Sequence, residues 1–421
     1  MPRPISATIS LPALRHNLDC IRGHMRRAGQ ELGRRPPLVW AVIKANAYGH
    51  GIEQARRAFD GADGLAMLDL DEAVRCREAG WQGPIMLLEG FFQASDIRVL
   101  QDYRLSTVLH CREQLDMLDA VRGGAPLPAW VKLNTGMNRL GFSLDAFGAA
   151  HDWALQALRQ GRLASVGMMM HFARADDDAG FTRVQLERFQ QAVAGRPGAV
   201  SVCNSAASLL PECWASFSPD TEQWARVGIC LYGASPFPDR SAAALGLLPA
   251  MTLRAQIIGV QRIRKGEGVG YGHAFVADKD MRVGVVACGY ADGYPRHAPN
   301  GTPITVMGVR TRVVGRVSMD MLIVDIDGIP DAGVGAPVVL WGEGGPGVDE
   351  VARACGTIGY ELLCAVAPRV PRTIAPLAGA SQPTARDKDF LPPGRAQGKK
   401  RPPGGQQAEG AAWGHFLGEP T

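Results

Sequence analysis

Residues 38–51 read LVWAVIKANAYGHG and contain the structural unit that recurs through the first half of the chain. The apolar run before Lys44 predicts a short buried strand that ends at the lysine. Burying an ammonium group is costly unless its charge is neutralised or paired. A lysine at this position therefore indicates either Schiff-base chemistry, which needs a lysine of lowered pKa, or a salt-bridged side chain that emerges at the strand terminus.

The alternation of apolar run and amphipathic segment continues to about residue 233. Apolar residues recur every three to four positions in segments 69–79, 111–121 and 181–194, which predicts helices there. Eight strands are predicted, at residues 38–44, 64–68, 84–88, 105–110, 129–133, 163–171, 199–204 and 225–231. Eight strands with crossover helices over about 200 residues indicate an α/β fold of the (β/α)8 TIM-barrel type. An open, doubly wound sheet remains the alternative, because periodicity does not show whether the edge strands meet.

A second pattern begins after residue 249, where β-branched runs are separated by short turns with Gly, Asn and Asp. These runs predict a mostly antiparallel β domain, with strands at 251–263, 269–276, 281–288, 302–307, 311–314, 321–326 and 336–341. Helices are predicted near 348–354 and 360–366. We therefore divide the chain into a barrel domain (1–245), a β domain (246–378) and a Pro-, Gly- and Lys-rich tail (379–421) that we expect to be disordered.

The composition excludes several classes of protein. A net charge of +4 is too small to indicate nucleic-acid binding. The sequence has no apolar run of about 18 residues and no signal peptide pattern, so we predict no membrane association. Nine scattered cysteines without a Cys-x-x-Cys pair indicate a reducing cytoplasm and no metal site. The Gly-rich stretch 342–347 lacks the Gly-Lys-Ser/Thr end of a nucleotide loop and is interpreted as a turn.

Further polar residues follow the predicted barrel strands at the same end as Lys44. They are Lys132, Arg139, His171, Asn204, Ser205, Arg226 and Gly228. Active sites of such barrels lie at the carboxyl ends of the strands, so we expect these groups to converge. Each one alone also has a structural interpretation: Lys132 as a strand lysine whose charge reaches solvent, His171 as a hydrogen-bonded core histidine, and Arg226 as a salt-bridged strand arginine.

The segment around Lys44 resembles the cofactor-lysine motif of alanine racemases. The resemblance continues, in order, through KLNTGMNRLGF (132–142), CNSAA (203–207), RVGICLYG (226–233), GYG (270–272), GYADGY (289–294), GRVSMD (315–320) and GYE (359–361). It extends from about residue 4 to about residue 375. A lone lysine motif is weak, whereas an ordered set across both domains is specific.

The resemblance implies an isomerase that interconverts L-alanine and D-alanine with pyridoxal 5'-phosphate. Lys44 would bind the cofactor and act as a base on one face of the substrate Cα, with Tyr271 on the opposite face. Tyr271 and Met319 would come from the other subunit of a homodimer. The product would supply D-alanine for peptidoglycan, or the enzyme would degrade D-alanine.

The resemblance also implies roles for the surrounding residues. Arg226 would contact the pyridine nitrogen, and Arg139, Met319 and Asp320 would bind the substrate, with Lys132 carbamylated to orient Arg139. At Asn134 many members of the family carry aspartate. The cofactor-binding set implied in this way is Lys44, Tyr48, His171, Asn204, Ser205, Arg226, Gly228, Ile229 and Tyr360.

Three other functions are compatible with part of this sequence pattern. A barrel that binds pyridoxal phosphate without turnover would have no β domain, and a decarboxylase of similar plan would need a different set of sheet-domain motifs. The main alternative is a racemase of broader specificity, because one methylene gives only about 1–3 kcal/mol of discrimination.

Overall fold

The computed structural model describes residues 3–375. The predicted disordered tail (379–421) lies outside the described residues. The elements form a barrel, followed by a β domain that the N-terminal strand joins.

Strand β1 (Ile5–Ile9) precedes the barrel, whose eight strands are β2 to β9. In chain order, β2 to β9 are Leu38–Val42, Gly64–Met67, Ile85–Leu87, Ser106–Leu109, Leu127–Lys132, Leu163–Met169, Val200–Ser201 and Trp224–Val227. All neighbouring pairs along the sheet are parallel. All eight strands predicted for the barrel are therefore confirmed.

The barrel closes between β8 and β9. Val200 and Gln223 form a parallel bridge there, and the Arg226 N–H donates to the Cys203 carbonyl at 2.9 Å. The sheet order is β8-β7-β6-β5-β4-β3-β2-β9, so this contact joins its two edges. The predicted (β/α)8 barrel is confirmed over the alternative of an open sheet.

Helices follow most of the barrel strands and begin at residues that suit an N-cap. The side chains of Ser10, Asp69, Ser143 and Asp178 each accept a backbone N–H in the first turn of the helix that follows. Helices α1 to α9 are Leu11–Leu32, Lys44–Tyr48, Ile52–Ala58, Leu70–Glu78, Asp96–Asp102, Arg112–Ala120, Leu144–Arg159, Ala179–Val193 and Ser205–Ser208. Within residues 3–375 no helix is long and apolar enough to cross a membrane.

The β domain is mostly antiparallel, as predicted. Its strands β10 to β18 are Met251–Ile263, Gly268–Val269, Phe275–Val276, Met281–Val286, Pro303–Val306, Val309–Arg312, Leu322–Asp325, Pro337–Trp341 and Arg372–Ile374, and its helices are α10 (Val348–Ala354) and α11 (Gly359–Ala365). The long strand β10 is central, because it pairs with β1, β13 and β17.

Two predicted strands of this domain need correction. The run 269–276 is a hairpin of β11 and β12, interrupted by a 3-10 turn at Tyr271–His273. Positive φ angles at Gly270, Gly272 and His273 break the extended backbone there. The run predicted at 311–314 lies at Val309–Arg312 instead, because the turn at Met307 and Gly308 places β15 opposite β14.

The first strand pairs with two strands that lie far from it in sequence. β1 pairs antiparallel with β10 and parallel with β18. The residues before α1 thus lie in the sheet of the β domain, and the predicted division of the chain at residue 245 stays a prediction.

Candidate active site

Five of the predicted site residues converge at the carboxyl ends of the barrel strands. They follow or end β2, β6, β7 and β9, and they are Lys44, Lys132, Arg139, His171 and Arg226. Their charges are close enough to shift one another's pKa values, since Arg139 lowers those of Lys44, Lys132 and His171. The convergence expected from the barrel geometry is therefore present in the structure.

Lys44 is a half-buried lysine with a lowered pKa. Burial is the main cause, and the Arg139 charge adds to it, whereas Glu89 and Cys364 oppose the shift. No ion pair among the described residues includes Lys44. Within the residues that the structure describes, Lys44 is therefore not the salt-bridged lysine of the alternative interpretation.

The backbone after Lys44 forms a left-handed turn. Ala45, Asn46, Ala47 and Tyr48 have φ angles of 55°, 51°, 53° and 51°. A left-handed residue with a Cβ costs roughly 1–2 kcal/mol, so four in succession must be held by their surroundings. We call residues 45–48 the left-handed turn.

Aromatic packing and hydrogen bonds fix this turn. The Tyr48 ring stacks on Tyr232 at 4.5 Å between centroids, and the Tyr232 hydroxyl donates to the Val42 carbonyl at 2.9 Å. The buried His50 contacts the Ala47 and Tyr48 carbonyls through Nδ1 at 3.1 and 2.9 Å. Burial lowers the pKa of His50 to about 4, so His50 is a neutral donor near pH 7.

Hydroxyl groups and backbone amides of the predicted cofactor-binding set lie at or beside the left-handed turn. The Gly228 N–H donates to Ser205 Oγ at 2.9 Å. A Cβ on Gly228 would lie 2.4 Å from the Tyr48 hydroxyl, so only glycine allows this approach. The Tyr360 ring is 6.0 Å from that of Tyr48, and the short 3-10 helix Ile229–Tyr232 begins at the same place. Asn204 caps α9 through its side chain, which orients Ser205.

Arg226 is buried and is held by β7 and β8. Its Nη1 donates to the Ser201 carbonyl and hydroxyl at 2.7 Å, and its Nη2 donates to the Met170 carbonyl at 2.6 Å. Nη2 also lies 3.2 Å from His171 Nδ1. Nε takes part in no hydrogen bond among the described residues. Burial and the Arg226 charge hold the pKa of His171 well below its usual range.

Lys132 is more deeply buried than Lys44, with 7% of its surface exposed. Burial, with Arg226 and Arg139 nearby, lowers its pKa to about 8. A small cavity is lined by Lys132, Met137, Arg139 and His171, among others. Asn134, the departure from the usual aspartate, accepts the Gly136 and Asn138 N–H groups at 3.1 and 3.0 Å and shapes the loop that leads to Arg139.

Tyr271 and Met319 lie in the β domain and are exposed. Their exposed fractions are 69% and 54%, and no hydrogen bond within the described residues links either one to Lys44. The Met319 carbonyl accepts the Ala291 N–H at 2.9 Å. The Asp320 carboxylate accepts Arg369 Nη2 at 2.6 Å, so it is paired within its own chain.

A cavity of about 550 Å³ adjoins the barrel mouth. His171, Asn204 and Tyr360 line it, and it lies within the usual size range of small-molecule sites. A larger groove beside α8 shares Asp176, Phe237 and Pro238 with this cavity, and no predicted site residue lines it.

The comparison with known proteins covers both domains. A family model described as "Alanine racemase, N-terminal domain" matches residues 9–236, and "Alanine racemase, C-terminal domain" matches residues 250–374. The chain belongs to the alanine racemase family.

Relatives and solved structures support the same family. The chain is 64% identical over 372 residues to alanine racemase of Bordetella avium, covering 88% of this chain and 99% of the relative. It is 52% identical over 387 residues to that of Ralstonia nicotianae, covering 90% and 97%. The crystal structure of biosynthetic alanine racemase from Pseudomonas aeruginosa matches with a TM-score of 0.80 and 44% identity, covering 89% of this chain and 99% of that one.

These findings confirm the family resemblance drawn from the motifs, and with it the prediction of a racemase, an isomerase. The relatives named above are all alanine racemases, and none of them favours the alternative of broader specificity.

Some residues that contact this site received no role from the sequence. Tyr232 lies within one of the family motifs, but the motif does not indicate the hydrogen bond of its hydroxyl to Val42 or its stacking on Tyr48. Glu72 resembles an ordinary helix N-terminal acid, yet it contacts the left-handed turn. Neither contact has a signal in local spacing, because the partners are far apart in sequence.

Proposed function

We propose that this enzyme racemises alanine by a two-base mechanism, with Lys44 and Tyr271 on opposite faces of the substrate Cα and pyridoxal 5'-phosphate as cofactor. The observation that supports it best is Lys44, half-buried at the end of β2 with a lowered pKa and no ion-pair partner among the described residues. A lysine in this state can bond to the cofactor aldehyde and afterwards accept a proton.

The residues beside the left-handed turn fit the phosphate group. Tyr48, Ser205 and Tyr360 offer hydroxyls, and Ile229 offers a backbone N–H at the start of a 3-10 helix. The Gly228 N–H donates to Ser205 Oγ and would orient that hydroxyl towards the phosphate. Hydroxyls and amides suit a phosphate dianion, and they place no second amine near the aldehyde. A Cβ on Gly228 would lie only 2.4 Å from the Tyr48 hydroxyl. A side chain there would therefore occupy the space proposed for the phosphate.

Arg226 is suited to contact the pyridine nitrogen of the cofactor. His171 and Asn204 belong to the same proposed cofactor-binding set. The cofactor, when bound, makes the Cα proton removable by delocalising the charge left behind. Since a guanidinium stays protonated, Arg226 would keep the ring nitrogen unprotonated. That limits delocalisation into the ring and favours racemisation over transamination. Its Nη groups are already bonded to the barrel backbone, so Nε remains for this contact.

Arg139 suits the substrate carboxylate because its forked donors match two oxygens. A carbamylated Lys132 would orient it. Carbamylation requires a neutral amine, and a pKa of about 8 supplies one more readily than that of an ordinary lysine. Both side chains line the small cavity at Lys132. The Met319 backbone and Asp320 would complete the substrate site.

The exposure of Tyr271 on the β domain supports a role in the site of another chain. We propose a homodimer in which Tyr271 and Met319 of each subunit enter the site of the other. A tyrosine can act as a base near neutral pH only if nearby positive charge or hydrogen bonds stabilise its phenolate. Arg139 and Arg226, both at the barrel mouth, can provide such charge.

We further propose a cytoplasmic enzyme that acts on free alanine and binds neither nucleic acid nor membranes. All nine cysteines are unpaired, which suits a reducing compartment. The Pseudomonas aeruginosa relative is described as biosynthetic, which favours supply of D-alanine over its degradation.

The assignment of Lys44 is tested with two lysine variants. Lys44→Ala should abolish the visible absorbance of the lysine-bound cofactor and all racemisation, because it removes the amine assigned to the cofactor aldehyde. Lys132→Ala is the matched control, since Lys132 is the other buried lysine of the site, and it should keep the band. A spectrum in which Lys132→Ala loses the band and Lys44→Ala retains it would reverse the assignment.

A further inference from the structure

Glu72 lies outside every motif of the family resemblance, yet it contacts the left-handed turn. It is the third residue of α4, and its Oε1 accepts the Asn46 N–H at 2.7 Å. Asn46 lies between Lys44 and Tyr48. A side chain from the next βα unit of the barrel therefore bonds to the centre of the turn that carries both residues.

The direction of this side chain is unusual for its position. Asp69 and Glu72 have the spacing of a capping box, in which the acid at the third helical position bonds back to the N-cap backbone. Only half of that box is present: Asp69 Oδ1 accepts the Glu72 N–H at 3.0 Å. The Glu72 carboxylate bonds to Asn46 instead, so its contact serves the neighbouring turn and not the end of its own helix.

Asn46 makes two further hydrogen bonds within its own segment. Its carbonyl accepts the Gly51 N–H at 2.9 Å, and its Oδ1 accepts the Ile52 N–H at 2.9 Å. These bonds connect the turn to α3. The Asn46 N–H is the remaining backbone group of this residue, and Glu72 is its acceptor.

Glu72 forms no ion pair with the described residues. Arg75, one turn further along α4, pairs with Glu53. Glu72 Oε2 is buried and has no hydrogen-bond partner among the described residues, and burial raises the pKa of the carboxyl group. Holding a carboxylate in this place is unfavourable in itself, and the bond to Asn46 is the contact that offsets the cost.

We propose that Glu72 is a positioning residue that holds the left-handed turn, so that Lys44 and Tyr48 are both preset for the cofactor. The inference rests on the proposed function, because it assumes that these two residues bind pyridoxal phosphate. Without the bond to Glu72, an unfavourable backbone conformation loses one of its few external contacts, and the two residues shift together.

The test compares three variants of the full-length chain. Glu72→Ala removes the acceptor, whereas Glu72→Gln retains an amide oxygen that can accept the same N–H. Glu78→Ala is the matched control: it removes an acid from the last turn of the same helix, where Glu78 Oε1 accepts the Tyr103 hydroxyl at 3.3 Å on the surface. Each protein is stripped of cofactor and titrated with pyridoxal 5'-phosphate, followed by the visible band, and its thermal unfolding midpoint is measured.

Glu72→Ala should bind pyridoxal phosphate about tenfold or more weakly, the size expected for loss of a hydrogen bond to a charged acceptor. Glu72→Gln should stay within about threefold of the unsubstituted chain, and Glu78→Ala should not change. If Glu72→Ala does not fold, Glu72→Asp, whose shorter side chain falls short of Asn46, takes its place.

Equal cofactor affinity in Glu72→Ala and Glu78→Ala would overturn the positioning role, whatever the unfolding midpoints. Equal weakening in Glu72→Ala and Glu72→Gln would overturn the hydrogen-bond explanation. If the unsubstituted chain binds no pyridoxal phosphate, the proposed function fails as well. Failure of the inference alone is recognised by tight binding in all four proteins.

Discussion

Lys132 is a buried lysine that faces two arginines. No ion pair among the described residues includes it, and burial with the charges of Arg226 and Arg139 lowers its pKa from 10.5 to about 8. The folded chain therefore binds this proton more weakly than the unfolded chain does. At pH 7 the protonated side chain destabilises the fold, which is the condition that carbamylation would relieve.

The sign of this effect gives a pH-dependent prediction. Because the folded-state pKa is depressed, the unfolded chain binds more protons between pH 8 and 10.5, so this residue's contribution to stability rises across that window. The difference corresponds to about 3 kcal/mol at most. In carbon-dioxide-free buffer, Lys132→Met should have the larger free energy of unfolding at pH 7, and the gap should close towards pH 10.5. A gap that does not vary with pH would contradict the depressed pKa.

The individual residues of the site differ in how far sequence could predict them. Lys44 was predictable because a charged residue at the end of an apolar strand is conspicuous by itself. Arg226 was expected at the barrel mouth from its place in the last barrel strand, but its role there came only from the motifs. Tyr271 became a candidate only through the motifs, since it also suits an ordinary strand residue. Glu72 was not predictable, because its spacing from Asp69 indicates a capping box and its actual partner, Asn46, lies on another element.

The left-handed turn is an element whose strain can be measured. Ala45 is exposed with φ of 55°, so its Cβ costs roughly 1–2 kcal/mol, against about 0.5–1 kcal/mol for the greater freedom of glycine in the unfolded chain. Ala45→Gly should therefore leave the free energy of unfolding unchanged or raise it by up to about 1 kcal/mol. Denaturant unfolding checks this prediction.

Ala149 offers the matched control for that substitution. It is exposed in the right-handed helix α7, where glycine should lower stability by about 1 kcal/mol. If Ala45→Gly destabilises the chain as much as Ala149→Gly does, the left-handed backbone is not strained as described.

The elements of the barrel were predictable because each strand and helix repeats one local pattern. The N-terminal strand was not, since Ile5–Ile9 is short and its partners, Met251–Ile263 and Arg372–Ile374, lie more than 200 residues away. The hairpin around Tyr271 was predicted as one strand, because the residues on both sides of the 3-10 turn are equally strand-like. Gly270 and Gly272 were the sequence signal for the turn, whereas the positive φ of His273 has no such signal.

At the scale of the whole molecule, the residues assigned to the proposed site lie on two domains. Lys44 and its neighbours lie at the barrel mouth, whereas Tyr271 and Met319 are exposed on the β domain. The loop of Met319 is held by Arg3 and Arg369, which both bond to the buried Asp292, at 2.9 and 2.8 Å, and also contact Asp320. This rigid presentation suits a surface that enters a partner's site.

The proposed sharing of the site between two subunits predicts complementation. Lys44→Ala and Tyr271→Phe should each be severely impaired as homodimers. Co-expressed in equal amounts, half of the dimers are mixed, and each mixed dimer contains one site with both bases intact, so about a quarter of the unsubstituted activity should return. A racemisation assay on the unfractionated mixture of dimers measures this. If Tyr271 served the site of its own chain, mixing would restore nothing.

The reaction itself is tested by incubating the purified chain with L-alanine in deuterated buffer, with a visible absorbance scan first and chiral analysis of the product afterwards. The proposed mechanism predicts a visible band from the lysine-bound cofactor, and D-alanine that carries deuterium at Cα, because the base that delivers the proton exchanges with solvent. Cofactor-saturated protein with no visible band, or D-alanine that retains the original proton throughout, would contradict it.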